Sequence, residues 1–416
     1  MLTAMLNAFR APDLRKKLLF VAAMLLLYRI GTYVPAPGIG RDGLANALQN
    51  QQGSILSFLN LFSGGALTRF SIFALGITPY ITASIIIQLM TVVIPKLEAL
   101  QKEGESGYVK ITQYTRYFTV ILALVQSIAY VLYFRSAGAI TFTWGRFYII
   151  VLSLTAGTTL VMWIGELITQ RGIGNGMSLL IFASIVSGIP GGIKAWWTIA
   201  PISRIIVALV CLGVTVGVVF VNEGVRRIPI QYARRVVGRR MTSGGTTYMP
   251  IRVNMAGVIP VIFASSVVIL PPTIAALAGR NNWLSRISEN LSQGSWYFVI
   301  FQTLLIILFT YFYTAVQFNP VDQADNLKKY GGFVPGVRPG RPTAIFLDRV
   351  VTRLTLPGAI YLGVIAALPT IVFKYLPEVT FNFGGTSLLI VVGVALDTMR
   401  QTEAQLTQRS YEGFLR

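Results

Sequence analysis

Few residues in this sequence could carry covalent or acid–base chemistry. It contains no histidine, which removes HExxH zinc sites and serine–histidine pairs. Its one cysteine, Cys211, lies in an apolar run with no imidazole to activate it and no second thiol for an intrachain disulfide. Glu166 and Asp397 belong to no GxGD-like setting and fall near the ends of apolar runs, where solvated caps are the simplest reading. No GxxxxGK[ST] loop is present to hold a nucleotide. The chain is therefore expected not to be an enzyme, and the energy for any work it does must come from elsewhere. What remains is the chemistry of exclusion and of charge: recurring isoleucines and loops rich in arginine.

The elements that position those residues are membrane spans. Of 416 residues 54% are hydrophobic and 12% charged, with a mean hydropathy of +0.65, too little polar surface for a soluble globule of this size. A hydrocarbon core about 30 Å thick takes about 20 apolar residues per helix. Nine charge-free runs satisfy this: 70–95, 117–134, 147–165, 172–193, 205–222, 253–279, 290–321, 354–373 and 379–396. The run 43–68 is uncharged but rich in amides and reads as an extramembrane loop. Residues 18–34, broken only by Arg29 and lacking an A-x-A-like cleavage site, read as a retained first span, with Arg29 in a structural role. Ten spans put both termini on one side. The terminal tails and the loops on their side carry 25 Lys and Arg, the opposite loops 8, which places both termini in the cytoplasm. That bias also accounts for most of the net charge of +20.

Two internal repeats organise the spans. GITPYITASIIIQL (76–89) aligns without gaps on GVIPVIFASSVVIL (257–270), and NGMSLLI (175–181) on GGTSLLI (384–390). Each joins helices five spans apart. Five is odd, so the matched helices cross in opposite senses, giving two inverted halves, roughly 1–195 and 196–416. The repeats pair Ile81 with Ile262 and Ile181 with Ile390, making four isoleucines from four spans candidates for one constriction. Thr78, Thr82, Ser84, Ser178, Ser265, Ser266, Thr386 and Ser387 accompany them, and short hydroxyls suit helix contacts or a wet cavity. The stretch 62–74, with Gly64, Gly65 and Arg69, precedes the second span and has two readings: an amphipathic helix at the interface, or a re-entrant piece.

The segments FSGGALTRFSIFALGITPYITASIIIQL (62–89), EGESG (103–107), QYTRY (113–117), RGIGNG (171–176), NMAGVIP (254–260), ADNLKK (324–329), FVPGVRPG (333–340) and FGGTSLLIVV (383–392) resemble the bacterial SecY family. The resemblance runs from about residue 15 to about 400. It implies an all-α polytopic membrane protein of the bacterial inner membrane. Ten helices would form two inverted five-helix halves around an hourglass pore, able to open sideways into lipid. Its function would be to conduct unfolded secretory polypeptides. Residues 62–74 would be a plug, a half-helix in the outer funnel that includes Gly64, Gly65, Leu67, Arg69, Phe70 and Ile72. The pore ring would be Ile77, Ile81, Ile181, Ile262 and Ile390, joined by Met177, which stands where the family usually has isoleucine. Such an apolar neck offers nothing to replace an ion's hydration shell.

The loops 223–253 and 319–353 exceed what a connection needs and carry Arg226, Arg227, Arg239, Arg240 and Arg338. The resemblance makes them docking sites for the ribosome, through RNA phosphates, or for the SecA motor. It implies SecE and SecG as small membrane partners, signal sequences as ligands that enter between spans 2 and 3 on one side and 7 and 8 on the other, and no cofactor. A small-solute transporter is the rival, because it too is built from inverted repeats. It would need converging polar ligands at the midplane where this sequence places isoleucine.

Overall fold

The computed structural model describes residues 11–37, 60, 62–136, 143–232, 235–237, 240–242, 245–278, 295–375 and 385–414. The N-terminal half contains α1 (Pro12–Gly31), α2 (Thr78–Val93), α3 (Pro95–Lys102), α4 (Glu105–Ser136), α5 (Trp144–Arg171), α6 (Gly176–Val186) and α7 (Ile189–Thr198). The C-terminal half contains α8 (Pro201–Glu223), α9 (Ile259–Ala278), α10 (Trp296–Gln317), α11 (Pro320–Lys329), α12 (Arg341–Tyr375) and α13 (Gly385–Phe414). Every run expected to span has a helix. Among the described residues six helical stretches are individually long and apolar enough to cross, and α2 with α3 forms a seventh that is bent by 98°. The bend has a local cause. Pro95 opens α3, and the residue before a proline is pushed out of the helical region, so Ile94 is extended at φ −99° and ψ 112°.

The inverted repeat is visible as matched helix starts. Thr78 and Ile259, which begin α2 and α9, occupy aligned positions, as do Gly176 and Gly385, which begin α6 and α13. Ahead of the first pair, Gly76 (φ +57°) and Gly257 (φ +62°) both take the left-handed conformation that only glycine adopts without strain. Each turns its chain into a helix that has proline at its second residue, Pro79 or Pro260. α9 packs on both α2 and α4, and α13 packs on α6, so the halves meet through repeat-related helices.

The long basic loops are not the unstructured connections that their polarity suggests. β1 (Val225–Tyr232) pairs antiparallel with β4 (Thr246–Arg252), and between them in sequence β2 (Arg235–Val237) pairs with β3 (Arg240–Thr242). β5 (Gly332–Phe333), from the second loop, adds to the other edge of β1. Ile228, Ile230 and Ile251 face inward and pack with Leu327, Val334, Leu347, Val350 and Val351. The two loops thus share one small core outside the helical body, an addition to the all-helical expectation.

Candidate functional site

Ile77 precedes α2 and Ile81 lies in its first turn, Ile181 is in α6, Ile262 lies in the first turn of α9 and Ile390 in the second turn of α13. All five are 0–6% exposed and belong to one contiguous apolar core, against which Met177 is packed. The sequence pairing by repeat thus corresponds to spatial convergence. Three of the hydroxyls around them are satisfied by their own helices: Thr82 donates to the carbonyl of Thr78 (3.0 Å), Ser265 to Val261 (2.8 Å) and Ser266 to Ile262 (2.9 Å). Ser387 Oγ of α13 is buried with no hydrogen-bond partner.

The segment 62–77 fills the space beside this core. Phe62, Ala66 and Phe73 are members of the same cluster as the isoleucines. Leu67, Phe70, Ala74 and Leu75 enter a second cluster with Tyr130, Val131 and Phe134 of α4 and Ile150, Val151 and Leu154 of α5. Ile72 is half-buried and Arg69 is exposed. The half-helix expected here is replaced by successive turns, with Gly64 at φ +65°, Gly65 at φ +83° and Phe70 at φ +46°. Three left-handed residues in seven cannot propagate a right-handed helix. The turns are instead fastened laterally: Ala36 N–H donates to Phe70 O (2.9 Å) and Ile72 N–H to Val34 O (3.0 Å).

Two glycines make room for this packing. A Cβ on Gly157 of α5 would fall on the carbonyl oxygen of Ile72, and one on Gly31 of α1 would fall on the ring of Phe73. Phe73 in turn stacks on Tyr28 at 5.8 Å. Tyr28 donates to Ser184 Oγ (2.7 Å), whose own proton goes to Leu180 O (2.9 Å), so α1 is joined to α6 beside the segment 62–77.

Other expected residues divide. Arg226, Arg227 and Arg338 are exposed. Arg240 begins β3, and Arg239 lies outside the described residues, as do residues 43–59 of the amide-rich loop. Arg338 follows Gly336 (φ +83°), and its carbonyl accepts from Thr343 Oγ1 at 2.8 Å. Asp397 has an exposed residue surface but is no cap, since it lies in the interior of α13. Glu166 corrects the expectation of a free cap. Arg116 of α4 grips it through Nε–Oε1 and Nη2–Oε2 contacts of 2.8 Å each, with the Glu166 side chain only 13% exposed. That partner lies 50 residues away, and no local pattern announces it. Arg29 has a more specific structural role than the sequence indicated, since its Nη1 donates to the carbonyl of Gly64 at 2.8 Å.

The same arrangement of helices recurs in known proteins. The family model described as SecY matches residues 71–399. The chain belongs to the SecY family. The protein translocase subunit SecY of Streptomyces galbus is 50% identical, and that of Corynebacterium glutamicum 47%, each alignment covering 100% of both chains. Among solved structures, a protein-conducting channel superposes with a TM-score of 0.68 at 18% identity, covering 93% of this chain and 91% of the other. Sec61 from the canine ribosome–channel complex gives 0.64 at 17% over the same shares. A further structure, also at 0.64 and over the same shares, with 19% identity, comes from a SecY whose plug domain stabilises the closed state and maintains a membrane seal. At these identities the structures establish the SecY fold. The membrane-embedded, helical architecture expected from the sequence is therefore that of the family, and the chain is a multi-pass membrane protein.

Proposed function

We propose that this protein is the channel subunit of a bacterial protein translocase, conducting unfolded secretory polypeptides and releasing hydrophobic segments sideways into the membrane. The observation that carries the reading is the convergence of Ile77, Ile81, Ile181, Ile262 and Ile390 in one apolar core shared with Phe62, Ala66 and Phe73. A neck of branched apolar side chains resists wetting and ion passage, yet makes no specific bond to a passing chain. Met177, unbranched and flexible, softens the rim of that neck. A solute transporter would require converging polar ligands where these isoleucines meet, and Thr82, Ser265 and Ser266 are instead committed to their own helices. Deleting 62–72 from protein reconstituted in vesicles should raise the resting ion leak while signal-bearing precursors are still transported. An unchanged leak would count against the plug.

The excess of Lys and Arg on one set of loops supports termini in the cytoplasm. The seam where α9 packs on α2 and α4 supports a lateral gate there, opened when a signal segment binds the open state better than the closed one. The shared core beneath β1, β4 and β5 supports a rigid docking platform for the ribosome or SecA, displaying Arg226, Arg227 and Arg338. SecE and SecG would complete the complex. Arg338 stands between Val337 and Pro339 on a backbone held by Thr343, so its guanidinium is presented from a fixed base. Replacing Arg338 by Glu should weaken ribosome binding and reduce the slope of log affinity against log salt by about one, with the resting leak unchanged. Equal binding by the variant would remove Arg338 from the contact.

A further inference from the structure

Arg29 lies in the last turn of α1 and reaches out of that helix in two directions. Its Nη1 donates to Gly64 O at 2.8 Å and its Nη2 to the Tyr33 hydroxyl at 3.0 Å. The same guanidinium sits 4.9 Å from the centroid of the Tyr33 ring, and the guanidinium of Arg69, from the plug segment, sits 3.9 Å from that ring. One aromatic ring therefore has a cation from the fixed helix and a cation from the segment beside the neck. We propose that Arg29 is the positioning residue of the plug and that Tyr33 is the adhesive between two like charges, together forming a latch that sets how readily the plug leaves. The inference rests on reading 62–77 as the plug.

The physics is specific to this arrangement. The bond from Arg29 to Gly64 O is charge-assisted and aimed at the first left-handed residue of the segment, where the chain turns. Arg29 and Arg69 repel, and the electron-rich face of Tyr33 converts that repulsion into attraction. Removing the ring leaves two cations close together with nothing between them. The backbone bonds Ala36–Phe70 and Ile72–Val34 continue the attachment along the next residues of the chain, so the latch lies at one end of a short zipper. When the plug moves out, Arg69 goes with it and Arg29 stays with α1.

The test uses full-length protein with Cys211→Ser and Ala66→Cys, since Ala66 is fully buried against the neck. Labelling of the single thiol introduced at position 66 by a membrane-impermeant maleimide reports plug release, and ion leak is measured on the same vesicles. Arg29→Gln should raise the labelling rate roughly tenfold, the shift expected from losing one charge-assisted hydrogen bond. Arg29→Lys should recover part of it, because an ammonium cannot serve both acceptors in the same forked geometry. Tyr33→Phe, which keeps the ring but removes the hydroxyl that accepts from Arg29, should raise labelling less than Arg29→Gln, whereas Tyr33→Ala should match or exceed it. Tyr33 is exposed, so its variants test the latch even where an Arg29 variant folds poorly. Unchanged labelling in Arg29→Gln and Tyr33→Ala, with a raised leak on deleting 62–72, would overturn the latch and leave the plug standing. Unchanged leak in the deletion as well would overturn the plug reading itself.

Discussion

Replacing Ile81 and Ile262 together by serine should raise the resting ion leak more than tenfold. Both side chains are nearly inaccessible, at 6% and 4% exposure, and they are counterparts under the repeat. Burying an isoleucine stabilises by about 1.5–3 kcal/mol relative to leaving it in water. If half of that for each residue is specific to the closed state, the ratio of open to closed channel rises by more than tenfold, since about 1.4 kcal/mol is a factor of ten. The serine hydroxyls act in the same direction by giving water somewhere to bind in the neck. Stability must be separated from sealing. Ile251 is as deeply buried but belongs to the core beneath the β-strands, which contains no residue of 62–77. Ile251→Ser should therefore lower the thermal midpoint without the leak. The measurement is single-channel or bulk conductance in vesicles, beside a thermal unfolding curve for each variant. Leak that follows loss of stability equally in both variants would deny the isoleucines a special position.

The residues that made the convergence of isoleucines legible were those under two constraints at once. Gly76 and Gly257 are each required by a left-handed turn, and each precedes a proline that opens a helix. Conformational necessity on this scale survives in sequence, which is why the repeat marked the correct helix starts and brought Ile81, Ile262, Ile181 and Ile390 together. The strands β1 and β4 were also legible in part. Ile228, Ile230 and Tyr232 alternate with Pro229 and Gln231, and Met249 and Ile251 flank Pro250, a period of two that signals a half-buried strand. Their arginines drew the reading toward charge and away from that pattern.

What stayed hidden depends on pairings distant in sequence. The turns of 62–77 exist because residues 34–36 offer them a backbone edge, and hydrophobic periodicity in the segment contains no record of that partner. An apolar stretch with glycines is equally consistent with a half-helix, so the helical expectation failed on a tertiary contact. The same holds for Glu166 and Arg116, and for Arg29, whose expense in lipid flagged a structural role without naming Gly64 as its acceptor.

Gly157→Ala should open the channel, although helix propensity alone forecasts the opposite sign. Glycine within a helix costs about 1 kcal/mol relative to alanine, so the substitution would stabilise α5 (Trp144–Arg171) in isolation. The first carbon added at this position, however, meets the carbonyl oxygen of Ile72, with the Ile72 Cγ2 and carbonyl carbon close behind. Backbone cannot rotate away as a side-chain end can, so either α5 or the plug segment must shift. Overpacking of this kind typically costs about 1–3 kcal/mol. The segment 62–77, built of turns and held by few backbone bonds, is the softer of the two. Displacing it should raise both the ion leak and the maleimide labelling at position 66 in the Ala66→Cys background, with Gly157→Val stronger than Gly157→Ala. Gly213 of α8 (Pro201–Glu223) provides the comparison, because a Cβ there meets open space. Gly213→Ala should leave leak and labelling at their starting values. A sealed Gly157→Val channel would mean that α5 yields instead, and that the plug is held more firmly than its bonding to residues 29–36 accounts for.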